Sequence, residues 1–175
     1  VLFSGTLNEC ENSLEDAIDG GVPNHTGTLF CGFASLVDAT MAVYELVYKN
    51  KYCTMKELKA ALEANWEGYE KLRLKAINCS HKYGIGDHLA DHYAKDIIDH
   101  VYNILQGIKN ARGYVWGLEI HSARAFIIHD KKTLATPDGR KAGEETSKNA
   151  SAHPGMDKNG VTALINSVTS IDTTL

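Results

Sequence analysis

The sequence predicts an α/β protein in which helices outnumber strands. Three observations carry this. Apolar residues Leu89, Tyr93, Ile97, Val101, Ile104 and Leu105 repeat at helical spacing along residues 88–108. Thr54-Met-Lys-Glu57 has the form of a capping box, in which the Thr hydroxyl and the Glu carboxylate each satisfy a free backbone donor of a starting helix. The β-favouring segments 22–32 and 115–128 are separated by helices. Such strands cannot pair as hairpins, so parallel geometry is expected.

Taken in order, residues 2–10 read as a short helix, followed by a polar run over 11–21. Val22-Pro-Asn-His-Thr-Gly-Thr-Leu-Phe-Cys-Gly32 is rich in Gly and Thr and predicts a strand or extended loop. Residues 33–48, with apolar positions 36, 37, 43, 44 and 47, predict a buried helix. The helix opened by the capping box runs to Ala64 and presents Leu58, Ala61 and Leu62 on one face. Gly68 breaks the pattern before residues 69–77 resume it. Lys82-Tyr-Gly-Ile-Gly-Asp87 is a loop, with Asp87 as cap of the long helix. Asn110-Ala-Arg-Gly113 is a turn. Residues 115–128 should hold at least one strand, expected at Ala125–His129 for its β-branched and aromatic content. Residues 130–160 are mostly loop. Periodicity leaves helix and strand both open for residues 161–170.

A chain of 175 residues with 43% hydrophobic content has enough apolar matter for a real core. A net charge of -4 offers no basic footprint, which argues against a nucleic-acid partner. No apolar run approaches the roughly 18 residues of a membrane span, so no membrane association is expected. The start lacks the basic region and cleavage site of a signal peptide. The four cysteines (Cys10, Cys31, Cys53, Cys79) contain no CxxC pair and read as reduced thiols of a cytoplasmic protein. The Val-Leu-Phe start and the uncapped Ile171-Asp-Thr-Thr-Leu175 end read as the limits of a piece of a longer polypeptide.

Several constellations have two readings. His88-x-x-x-His92 has metal-ligand spacing, but a zincin needs Glu at position 89, which is Leu, and Asp91 and Asp96 fit a solvated helix face; no metal site is expected. Asn24-His25-Thr26-Gly27 is either a polar loop serving a site or a strand entry shaped by its residues. Arg124 lies in the apolar run Ala123-Arg-Ala-Phe-Ile-Ile128. In a buried strand its charge requires an anion, either a substrate carboxylate or an internal Asp or Glu. Cys31 is either half of a Cys-His pair or a buried thiol beside a helix.

Thr136-Pro-Asp-Gly-Arg-Lys-Ala-Gly143 is the most specific stretch. Proline presets φ at its turn and Asp-Gly supplies the corner. It is followed by Gly155-Met-Asp-Lys-Asn-Gly160 and Thr162-Ala-Leu-Ile-Asn-Ser-Val168. With Glu57-Leu-Lys-Ala-Ala-Leu-Glu-Ala-Asn-Trp-Glu-Gly-Tyr-Glu70 and Lys82-Tyr-Gly-Ile-Gly-Asp87, this ordered series resembles the late-barrel segment of the glycyl radical enzymes, the pyruvate formate-lyase-like family.

The resemblance implies that residues 1–175 are part of a ten-stranded α/β barrel made of two five-stranded parallel halves. It implies a parent enzyme in which a glycyl radical, installed by a radical S-adenosylmethionine activase, turns a cysteine into a thiyl radical that attacks a small metabolite. The implied reaction is cleavage of a C–C, C–O or C–N bond, as in a formate acetyltransferase or a dehydratase. The implied parent is a cytoplasmic homodimer of anaerobic metabolism. Neither radical-bearing residue falls in this chain: it has no R-V-x-G-Y-like motif, and Cys10 and Cys31 do not match the thiyl position. No catalytic residue and no directly bound cofactor are therefore expected here, and the isolated segment should be inactive. The resemblance places Ala123, Arg124 and Phe126 beside the substrate and raises Asn24 and His25 as further substrate-side residues. Asp130 and Leu134 stand where the family usually has Gly, which points to a subgroup distinct from pyruvate formate-lyase itself. The competing expectation is a catalytically silent α/β module that binds or supports; a cysteine loop upstream and a radical-glycine loop downstream in the parent reading frame separate the two.

Overall fold

The computed structural model describes residues 2–21, 26–121 and 125–172. A 3₁₀ turn at Ser4–Thr6 leads into α1 (Asn8–Ser13) and a π-helical turn, Ala17–Gly21. Strand β1 (Thr26–Leu29) precedes α2 (Phe33–Val43), which runs on as a π-helical stretch, Tyr44–Lys49. Then come α3 (Met55–Glu63), α4 (Glu70–Ile77), α5 (His88–Gln106), β2 (Trp116–Glu119), α6 (Ala125–Asp130) and α7 (Val161–Thr169). Strands β1 and β2 form a small parallel sheet, as their separation in sequence requires.

The chain divides into two compact units: residues 1–28 with 99–119, and residues 29–98 with 120–175. In the first, Ser4 Oγ donates to the Asp16 carboxylate and accepts from Ala17 N, closing the N-terminal turns on themselves. The predicted turn at Asn110 is present. Asn110 Oδ1 accepts from Arg112 N and Tyr114 N, and its amide donates to Thr26 Oγ1 at 3.2 Å.

The second unit holds the main core: Ala42, Leu46, Leu58, Ala61, Trp66, Ala76 and Cys79, flanked by Leu62 and Tyr69. The capping box forms as predicted. Thr54 Oγ1 accepts from Glu57 N at 3.2 Å, and the Glu57 carboxylate accepts from Thr54 N at 2.7 Å. Helix α3 ends through two non-glycine residues in the left-handed region, Asn65 (φ 51) and Trp66 (φ 67). That reversal is sterically costly. It drops the indole into the core, where Trp66 is only 1% exposed. Phe33 stacks edge-on between Phe30 and Tyr83, with centroids 5.7 and 5.5 Å apart.

Three expectations need correction. Ala125–His129 is not a strand: α6 spans Ala125–Asp130, and Ile127 and Ile128 are exposed. A short apolar run does not distinguish the two periods, and a helix satisfies its backbone internally. The buried face of α5 is rotated from the expected stripe. Ala90, Ala94, Ile98 and Leu105 are buried, while Leu89 and Ile104 are exposed. Alanines allow close approach, and large apolar residues alone did not mark that face. Helix 33–48 is helical throughout but not α-helical throughout: it changes to π-helical hydrogen bonding at Tyr44. The element left open at 161–170 is helical, and Asp87 caps α5 through Oδ1 accepting from Ala90 N at 2.9 Å.

Candidate functional site

The loop between α6 and α7, residues 131–160, has no regular secondary structure, yet its backbone is held point by point by side chains from elsewhere in its unit. The centre is the Thr136–Arg140 turn. Thr136 N donates to Arg140 O at 3.0 Å and Gly139 N to Thr136 O at 3.1 Å. Arg140 is buried, and all three nitrogens of its guanidinium donate hydrogen bonds. Nε donates to Thr136 Oγ1, Nη1 to the carbonyls of Lys141 and Glu144, and Nη2 to the carbonyl of Leu134. A planar fork with five donors suits this multi-carbonyl site, which a lysine could not serve.

Each of the other motifs reaches this loop. Trp66 Nε1 donates to Arg140 O at 3.2 Å, and Asn65 Oδ1 accepts from Ala142 N at 2.8 Å. Arg73 Nε donates to Gly139 O at 2.8 Å. Gly139 has φ +97, and a Cβ there would lie 2.5 Å from Ile77 Cγ1, so only glycine fits beneath α4. Tyr83 OH donates to Ala150 O at 3.0 Å, and a Cβ on Gly84 would lie 2.3 Å from that of Ala152. Ser35 and Ser147, both buried, exchange bonds: Ser35 N to Ser147 Oγ at 3.0 Å and Ser147 N to Ser35 Oγ at 2.8 Å. The Asp130 carboxylate accepts from Thr146 N and Thr146 Oγ1, at 3.1 and 2.7 Å. Asp130 thus anchors the loop, while Leu134 is exposed.

A cleft of about 160 Å³ opens beside this loop, lined by Asp38, Arg73, Lys82, Asp138, His153 and Met156 among others. Asp38, on α2, is 1% exposed. Its Oδ1 accepts from Tyr83 N at 2.8 Å, and its Oδ2 has no hydrogen-bond partner. Burial pushes its carboxyl up to about 6, against the pull of Lys82 and the Tyr83 N–H. The Asp38–Tyr83 contact joins α2 to the Lys82-Tyr83-Gly84 loop. Next to it, His81 Nδ1 faces both Asp87 oxygens at 3.1 and 3.2 Å, and His81 Nε2 lies 3.1 Å from Lys49 Nζ. A carboxylate on one side and an ammonium on the other put the ring proton on Nδ1 and the lone pair on Nε2.

Of the substrate-side residues expected from the sequence, Asn24, His25, Ala123 and Arg124 lie outside the described residues, as does the side chain of Phe126, whose backbone is in α6. Cys31 Sγ donates to the His121 carbonyl at 3.6 Å, so its contact is to backbone and not to an imidazole. His92 pairs with Asp96 at 3.6 Å on the exposed face of α5. Among the described residues no group of three His, Cys, Asp or Glu could hold a metal ion. Ser35 and Asp38 were not singled out from the sequence, and Asn65 only as part of the Glu57–Glu70 motif. The available signal was a lone acid within the apolar helix Ser35-Leu-Val-Asp-Ala-Thr-Met41.

The site is thus a helix-rich α/β unit whose motifs serve mainly to order one long loop. Comparison with known proteins gives the family. The pyruvate formate lyase-like family profile matches residues 2–126, and the chain belongs to that family. It is 29% identical to trans-4-hydroxy-L-proline dehydratase of Clostridioides difficile, covering 98% of this chain and 22% of that protein. It is 36% identical to isethionate sulfite-lyase of Nitratidesulfovibrio vulgaris, over 79% of this chain and 16% of that one. The structure of a glycyl radical enzyme from Archaeoglobus fulgidus superposes with TM-score 0.88 at 30% identity, covering 97% of this chain and 22% of that chain. The chain thus spans about a fifth of the length of these relatives.

Proposed function

We propose that residues 1–175 form part of the barrel of a glycyl radical enzyme that cleaves a C–O, C–N or C–C bond in a small polar metabolite. The observation that carries this is the likeness, over nearly the whole chain, to a glycyl radical enzyme structure. A dehydratase and a sulfite-lyase among the relatives favour the lyase branch over acyl transfer. In this reading the chain's own part is architectural. The mutually clamped motifs hold the 131–160 loop rigid, and rigid supports are what radical placement requires. The radical glycine and the thiyl cysteine belong to the rest of the enzyme, which is activated by a radical S-adenosylmethionine enzyme and works as a cytoplasmic homodimer.

Ala123, Arg124 and Phe126 on one segment, and Asn24 and His25 on another, face the substrate. Arg124 supplies a bidentate grip on a substrate carboxylate. Arg124→Lys in the intact enzyme should then raise KM roughly thirtyfold, about 2 kcal/mol, with Tm unchanged. An unchanged KM with a lowered Tm returns Arg124 to a structural ion pair. The proposal as a whole is tested by anaerobic activation followed by electron paramagnetic resonance. The intact enzyme should give a glycyl radical doublet and the 175-residue chain none; a doublet borne by the chain itself would overturn the assignment.

A further inference from the structure

The cleft beside the Thr136–Arg140 turn has a charged floor whose hydrogen-bonding capacity is not used up. Lys82 is 4% exposed, and among the described residues its ammonium makes no ion pair and no side-chain hydrogen bond. Asp38 Oδ2 has no partner. Asp138 is buried, lines the cleft and accepts from Thr136 Oγ1 on one oxygen. The three groups come from α2, the 82–87 loop and the 131–160 loop. Leaving a buried carboxyl oxygen such as Asp38 Oδ2 without a hydrogen bond is costly.

What would satisfy them follows from the count. They offer three N–H donors and carboxyl oxygens, so the complementary guest both donates and accepts. Arg140, at the same cleft, spends four of its five N–H donors on Thr136 Oγ1 and three carbonyls, and Arg73 donates Nε to the Gly139 carbonyl with Nη2 4.0 Å from the Glu144 carboxylate. A volume of about 160 Å³ has room for several waters, each needing two to four polar partners. A metal ion is disfavoured by the ammonium on the floor, and a simple anion by the two carboxyl groups.

We propose that this cleft is a built hydration site, in which ordered waters bridge Lys82 Nζ, Asp38 Oδ2 and Asp138 and so tie three segments of the second unit together. The site goes beyond the radical-enzyme reading and does not depend on it. The waters solvate Lys82 from inside, keep it charged beside Asp38, and hold the Pro137-Asp138 corner against α2 by bonds nearly as favourable as direct ones.

A high-resolution crystal structure of the intact polypeptide tests this. The expected result is two or more ordered waters, each bonded to at least two of Lys82, Asp38 and Asp138. A direct Lys82–carboxylate contact with no water between, or a non-water solute filling the cleft, would overturn it. A second measurement is independent of the crystal. Lys82→Met should lower the thermal midpoint by several degrees in the wild-type background, and by less than half as much in an Asp38→Asn background. The removed ammonium leaves a stranded carboxyl only in the first case. Equal losses in the two backgrounds would mean that the groups are not coupled and would also overturn the site.

Discussion

Asp38 is a buried carboxyl whose chemistry is displaced from its solution behaviour. Its folded value, about 6, lies above the ordinary 3.8 because burial penalises the charged form. Between those values the folded protein holds a proton that the unfolded chain has released. Stability must therefore fall as pH rises through that window, with the penalty fully present above about pH 6. Two pH units correspond to an upper limit of about 3 kcal/mol. Asp38→Asn keeps an acceptor for Tyr83 N and removes the titration, so the stability difference between variant and wild type should shift in the variant's favour from pH 4 to pH 6. A difference that stays constant across that range would refute it. Arg140 is the opposite case, a buried cation whose three nitrogens all donate to neutral acceptors. Arg140→Lys keeps the charge but loses the fork, and should cost about 2–4 kcal/mol in denaturant unfolding; a cost under about 0.5 would mean the loop is held by its other staples. The sequence drew attention to Arg140 through its motif but not to Asp38. A single acid in an apolar helix gives no sign of its partner, here a backbone N–H from residue 83.

At the scale of elements, what could be read from the chain was what local chemistry determines. The capping box at Thr54, the Asn110 turn, the Asp87 cap and the long helix of residues 88–106 all rest on interactions within a few residues. Each is present. Helix α6 and the rotated face of α5 were not legible, because both depend on what lies against them. Ile127-Ile128 favours a strand only if a partner strand exists, and Ala90 and Ala94 look unremarkable until a neighbour approaches closely. The staples of the 131–160 loop are of the same non-local kind, and two of its glycines allow a controlled test. Gly139 and Gly143 both have positive φ, +97 and +79, but a Cβ at Gly139 meets Ile77 Cγ1 at 2.5 Å while one at Gly143 meets nothing within 4 Å. Gly143→Ala should cost about 1 kcal/mol, the backbone component alone. Gly139→Ala should cost about 2–4 kcal/mol, because strain from overpacking α4 is added. Equal costs in urea unfolding would mean that α4 gives way and that the contact contributes nothing to the glycine requirement.

For the whole molecule, the family resemblance was legible because several spaced motifs survive in order, and the structure explains why they come as a set. Asn65, Trp66, Arg73, Tyr83 and Arg140 are partners in one clamp, so a change in any of them strands another. Asn24, His25, Ala123 and Arg124, proposed for the substrate side, lie outside the described residues. The remaining apolar surface leads to the last prediction. Leu2, Phe3 and Leu14, at 93%, 70% and 91% exposure, crowd the N-terminal turns of the first unit, with Ile18 also exposed. Soluble monomers rarely leave such residues grouped in the open, and a segment covering 22% of its relatives' length has neighbours in the parent to cover them. The 175-residue chain alone should therefore associate as its concentration rises and bind a hydrophobic dye. Replacing Phe3 and Leu14 together by Ser should reduce both effects without altering the second unit's unfolding transition, because neither residue belongs to that unit's core. Light scattering across a concentration series decides the matter: a monodisperse monomer that binds no dye would show that this apolar group is covered within the chain itself and needs no neighbour.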